Sequence, residues 1–93
     1  MHNMNVNTTN AALRQFIATH FPRRGTRGLS DQDPLLASGI VDSLGVLDLV
    51  SFIESEFRIV VTDEDLTQQN FKSISHIAAL ISEKTGRYEY PAR

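Results

Sequence analysis

Three stretches of this chain carry apolar residues at the spacing of an α-helix. In the first, Leu13, Phe16, Ile17, His20 and Phe21 fall at i, i+3, i+4, i+7 and i+8, which predicts a one-faced amphipathic helix over residues 10–21. Thr8, Thr9 or Asn10 is its candidate cap, and Pro22 its stop. In the second, Val46, Leu49, Val50, Ile53 and Phe57 share one broad face of a helix that starts at Asp42 or Ser43 and ends at Phe57 or Arg58. In the third, Phe71 and Ser73 open a helix that ends near Lys84 with Gly86 as its stop. Ile74, Ile77, Ala78 and Ile81 form its buried stripe.

The connections are unequal. The first is about twenty residues long without sustained period, and loops of that length are usually functional. Arg23 to Gly28 reads as a mobile basic loop. Asp33-Pro34 is a signal for one helical turn through Leu35 and Leu36, and Leu36, Ile40 and Val41 are the expected anchors to the core. Ile59, Val60 and Val61 have no pairing partner in sequence and read as an extended connector that buries Ile59 and Val61. Thr62 followed by Asp63, Glu64 and Asp65 predicts a capped, short additional helix. The expectation is an all-α bundle of three main helices plus one short helix, with a long first loop. Its domain spans residues 10–85, between a flexible N-terminus at 1–9 and a flexible tail at 86–93.

Composition narrows the function. With 93 residues the chain suits one domain. It has no cysteine, which removes disulfides, thiolate metal sites and a cysteine nucleophile. No apolar run nears the roughly 20 residues of a membrane span. The residues from Met1 to Asn10 show no signal-peptide pattern, so the expected location is the cytoplasm. Net charge is −2, but the segment from Asp42 to Asp65 holds seven acids against Arg58 alone. Both flanks are positive by two. An acidic middle argues against nucleic acid and suits partners with a basic docking surface.

Ser43 is the candidate reactive residue. With Asp42 as cap it is the first residue of the second helix, where backbone N–H groups lack intrahelical partners and the helix dipole is positive. A phosphodiester on that hydroxyl is electrostatically favoured. Leu44 and Leu47 lie off the core stripe, beside Ser43 and Ser51, as a small candidate docking patch. Phe52 is also off the stripe, on another side.

The run Gly39-Ile40-Val41-Asp42-Ser43-Leu44-Gly45-Val46-Leu47-Asp48-Leu49-Val50 resembles the attachment motif of acyl carrier proteins. The similarity extends through Phe57 and Ile59, the acidic turn at Asp63-Glu64-Asp65-Leu66 and the final helix around Ile74 to Ile81. It implies a four-helix acyl-carrier-like bundle. In it Ser43, within the Asp42-Ser43-Leu44 motif, receives 4′-phosphopantetheine from coenzyme A and carries acyl or aminoacyl groups as thioesters. It further implies docking through Leu44, Leu47, Asp48, Glu54 and Glu56. The implied partners are a phosphopantetheinyl transferase, an acyl- or aminoacyl-loading ligase or synthase, and downstream tailoring or transferase enzymes. The carrier itself is expected to be a monomer.

Three departures from the family pattern stand out. Gly45 replaces an acid common in fatty-acid carriers, Ser51 a large apolar residue and Ser55 an acid. Gly-Ile-Val before Asp42 also differs from the run usual in modular peptidyl carriers. These departures point to a free-standing carrier of a specialised pathway. Phe52 and the basic loop are candidate partner-specific features.

Other readings fare worse. Ser43 has no Gly-x-Ser-x-Gly elbow, because Val41 holds the first glycine position. His2, His20 and His76 are scattered, and no base-plus-orienter set follows from spacing, so no catalytic residue is assigned. Asp31-Gln32-Asp33 and Asp63-Glu64-Asp65 lack a twelve-residue calcium loop, so no metal site is assigned. The competing reading is an unmodified helical adaptor that docks partners through the acidic and apolar second helix, with Leu44, Leu47 and Phe52 as its contacts.

Overall fold

The computed structural model describes residues 6–21 and 28–85, and these form an all-α fold. The elements are α1 (Val6–His20), α2 (Ser43–Phe57), a single 3₁₀ turn at Asp63–Asp65, and α3 (Ile74–Thr85). Among the described residues there is no strand, and no helix is long and apolar enough to cross a membrane. Leu13 and Ile17 of α1, Leu49 and Ile53 of α2, and Ile74 and Ile77 of α3 are sealed from solvent in one core. Burial of these stripes, more than local propensity, holds helices this short.

α1 begins four residues before the expected Asn10, inside the stretch expected to be flexible. Thr8, Thr9 and Asn10 are therefore helix-interior residues and not caps. The reason is tertiary. Thr9 and Asn10 are buried, and Asn10 Nδ2 donates to Asp31 Oδ2 at 2.8 Å. One turn on, Arg14 donates to Asp31 Oδ1 at 2.6 Å. The Asp31 backbone carbonyl accepts from Ser75 N at 3.0 Å, so one loop residue ties α1 to α3. Pro22, expected to stop α1, and most of the basic loop lie outside the described residues.

The long connection is pinned by Leu29, Leu35, Ile40 and Val41, all buried, whereas Leu36 is only half-buried. Leu35 is the main anchor. Its N–H donates to Lys72 O at 2.9 Å and its carbonyl accepts from Val41 N at 3.0 Å. Asp33 does not cap the following turn. Its Oδ2 accepts from Ser30 N at 2.9 Å, while Ser38 N closes a turn onto Pro34 O at 3.0 Å. Gly39, at φ 82°, reverses the chain after that turn.

α2 matches the expected span, with Arg58 in the left-handed conformation just beyond it. Ile59 and Val61 are half-buried and Val60 is exposed. The expected short helix is no more than the 3₁₀ turn. Thr62 and Asp65 form a reciprocal capping box, with Thr62 N donating to Asp65 Oδ2 at 2.9 Å and Asp65 N to Thr62 Oγ1 at 3.3 Å. The helix then fails to continue because Thr67 N and Asn70 Nδ2 both take the Asp65 carbonyl, each at 2.9 Å. The sequence beyond, Thr67-Gln68-Gln69-Asn70, also has no apolar stripe to bury. α3 starts after Ser73, whose Oγ accepts from His76 N at 3.3 Å. Ile74, Ile77, Ala78 and Ile81 are buried as expected, together with Leu80.

Candidate attachment site at the start of α2

Asp42 is the N-cap of α2, with extended backbone at φ −92° and ψ −179°. Its Oδ1 accepts from Gly45 N at 2.7 Å, and its carbonyl accepts from Val46 N at 3.0 Å. Such a cap stabilises a helix by about 1 kcal/mol. It consumes the Gly45 N–H and leaves those of Ser43 and Leu44 at the open, positive end of the helix. Ser43 itself is exposed. It stands on the rim of a cavity of about 210 Å³ that is lined by Leu36, Val46, Leu66 and Phe71 among others.

Around Ser43 the predicted residues separate into two groups. Leu44 and Leu47 are 77% and 57% exposed, a high value for leucine, and none of the described elements covers them. The carboxylates are differently placed. Asp48 Oδ2 lies 3.0 Å from His20 Nε2 at the end of α1. Glu54 Oε2 accepts from Val61 N at 2.9 Å, which returns the chain against α2 after the helix ends. Glu56 borders a groove on the α1 side with Phe16 and Phe52.

Phe52 is not a free partner contact. It is half-buried and stacks on Phe16 at 4.2 Å between centroids with an interplanar angle of 13°, so it belongs to the α1–α2 interface. His20 also stacks on Phe16, at 4.9 Å between centroids, and meets Phe21 edge to face at 4.8 Å. Gly45 is buried against the same cluster. A Cβ there would sit 2.8 Å from Phe21 Cε1.

Two pairs with catalytic-looking composition arise only in three dimensions. Ser73 Oγ and His76 Nδ1 are 2.7 Å apart, but Ser73 is 1% exposed and serves as the start of α3. The His20–Asp48 pair sits beside packed phenyl rings and acts as a helix–helix contact. The carboxyl groups with shifted acidity lie elsewhere. Asp31 is held below its ordinary value chiefly by the hydrogen bond from Arg14, against an opposing effect of burial. Asp65 is held low chiefly by Lys84 at 2.6 Å, then by the Thr62 N–H.

An accessible hydroxyl at the first position of a capped helix, flanked by exposed leucines on an all-α frame, makes the start of α2 a candidate attachment site in a helical carrier domain. Residues 11–81 match the family described as phosphopantetheine attachment site. The chain is also 34% identical over 69 residues, 74% of its length and 79% of the relative's, to the Serratia sp. (strain ATCC 39006) protein named probable acyl carrier protein PigG. The chain belongs to the acyl carrier protein family. As such it is a carrier and not an enzyme, it bears covalently attached 4′-phosphopantetheine, and it interacts with a phosphopantetheinyl transferase and with biosynthetic enzymes. The start of α2 fits that group, offering an exposed serine hydroxyl, a positive helix end and an adjoining recess with leucine, valine and phenylalanine walls. The prosthetic group supplies the thiol that this cysteine-free chain lacks.

Proposed function

We propose that Ser43 is the attachment residue and that the chain shuttles acyl or aminoacyl thioesters between enzymes of a specialised biosynthetic pathway. The observation that carries this reading is the exposed Ser43 hydroxyl at the first turn of α2, directly after the Asp42 cap. In the loading reaction the Ser43 oxygen bonds to the pantetheine-side phosphorus of coenzyme A. The pyrophosphate bond breaks, adenosine 3′,5′-bisphosphate leaves, and the hydroxyl proton passes to a base of the transferase. Asp42 holds the serine at the helix start through its bond to Gly45 N.

The same reading makes Leu44, Leu47, Asp48, Glu54 and Glu56 the docking region for the transferase, a loading ligase or synthase and downstream enzymes. The carrier acts as a cytoplasmic monomer. Gly45, Ser51 and Ser55 support the specialised role, since they soften the acidic character of the helix. The test is to incubate the apo protein with coenzyme A and a broad-specificity phosphopantetheinyl transferase and to weigh the product. A mass gain for wild type that is absent in Ser43→Ala is expected. An unmodified wild type beside a competent control carrier would favour the unmodified adaptor instead.

A further inference from the structure

We infer that Phe21 is a positioning residue for the loading of Ser43: its ring, packed on Gly45, fixes the first turn of α2 from the end of α1. This rests on the assignment of Ser43 as the attachment residue. The Asp42 carboxylate accepts from Gly45 N at 2.7 Å, so the cap closes a loop around Ser43 and Leu44. Of these four residues only Gly45 is buried. A side chain at that position has no room. Its Cβ would lie 2.8 Å from Phe21 Cε1, 3.2 Å from Phe21 Cζ and 3.1 Å from the capping oxygen of Asp42. The ring and the capping carboxylate therefore both lie against the Gly45 backbone.

The ring is itself held in place. Phe21 N donates to Ile17 O at 2.9 Å, which carries the helical pattern of α1 one residue past His20, and Ile17 is sealed in the core. Phe16 and His20 meet the Phe21 ring edge to face, at 6.2 and 4.8 Å between centroids. Both neighbours are anchored on α2, Phe16 by stacking on Phe52 at 4.2 Å and His20 by Asp48 at 3.0 Å. Positions 45, 48 and 52 are spaced i, i+3 and i+7, so they share one face of α2. Ser43 lies about 160° away around the helix. Phe21 thus acts on the serine through the backbone and the cap, and not by contact with the arm. The Ser43 hydroxyl must meet the phosphorus of coenzyme A in line, and a misplacement of about 1 Å can cost about 10²-fold in rate.

The test measures kcat and KM for modification by a broad-specificity phosphopantetheinyl transferase with coenzyme A, with apo protein as the varied substrate and well below every melting midpoint. Phe21→Ala and Gly45→Ala should each lower kcat about tenfold, with KM within about twofold of wild type because the exposed side chains of α2 are unchanged. Leucine lacks the two ring atoms that a methyl group at 45 would meet. Phe21→Leu combined with Gly45→Ala should therefore return kcat to within about threefold of wild type. Ala78→Gly, which loosens the buried middle of α3, controls for lost stability and should keep the wild-type kcat. Amide exchange reads the turn directly. In Phe21→Ala the Gly45 N–H should exchange about tenfold faster relative to the Ile77 N–H, which donates to Ser73 O in α3. A wild-type kcat in Phe21→Ala, no recovery in the double variant, or an equal loss in Ala78→Gly overturns the inference. Failure of the Ser43 assignment looks different, because wild type then gains no mass.

Discussion

At Gly45 the side chain is excluded by a ring from the end of α1. A methyl group there meets Phe21 Cε1 at 2.8 Å and the capping oxygen of Asp42 at 3.1 Å. Alanine ordinarily favours a helix over glycine by up to about 1 kcal/mol, but crowding a packed site costs about 1–3 kcal/mol. Gly45→Ala is therefore expected to destabilise the fold by about 1 kcal/mol, read from urea melts followed by circular dichroism. A variant as stable as wild type would mean that Phe21 moves aside at no cost. The departure from the acid common at this position thus has a packing cause as well as an electrostatic effect. That cause was hidden in the sequence, where Phe21 and Gly45 are separated by the long loop. Ser43, Leu44 and Leu47 were legible because their placement depends only on the phase of one helix.

Among the elements, α2 and the buried stripe of α3 were legible for the same reason, with caps and apolar period in agreement. α1 was read too short, because Thr8, Thr9 and Asn10 look like caps when the partners of Asn10 and Arg14 on the loop are unknown. The 3₁₀ turn was read too long, since a good capping box says where a helix starts and not whether it continues. Phe57, 9% exposed at the end of α2, tests the phase directly. Phe57→Ala should cost about 3–5 kcal/mol. An unchanged melting curve would contradict its place in the core.

For the whole molecule, acid tolerance follows from two aspartates that join distant elements. Asp31 bridges α1 and the loop, and Asp65 joins the 3₁₀ turn to Lys84 of α3. Both titrate below the ordinary value of 3.8 in the fold, so their ionised forms favour the folded state. Their contribution is complete above that value and is lost as pH falls through their lower folded values. Stability should be flat with respect to these two groups near neutrality and decline below about pH 4. The check is a series of thermal melts from pH 7 to pH 2.5. Asp31→Asn should be less stable at neutral pH and show a shallower acid decline. Parallel curves for mutant and wild type would remove Asp31 from the account.

The sequence by itself determined the helical class, the α2 register and the exposed Asp42-Ser43-Leu44 turn, because periodicity and capping are local and the motif lies within one helix. Only the tertiary structure decided what the acids of the middle segment do. Asp48 pairs with a histidine 28 residues away, Glu54 binds a backbone N–H beyond the end of its helix, and Asp65 pairs with Lys84. Those partners come within reach only once the helices pack, so a count of charges along the chain does not show which of the acids are paired and which are not.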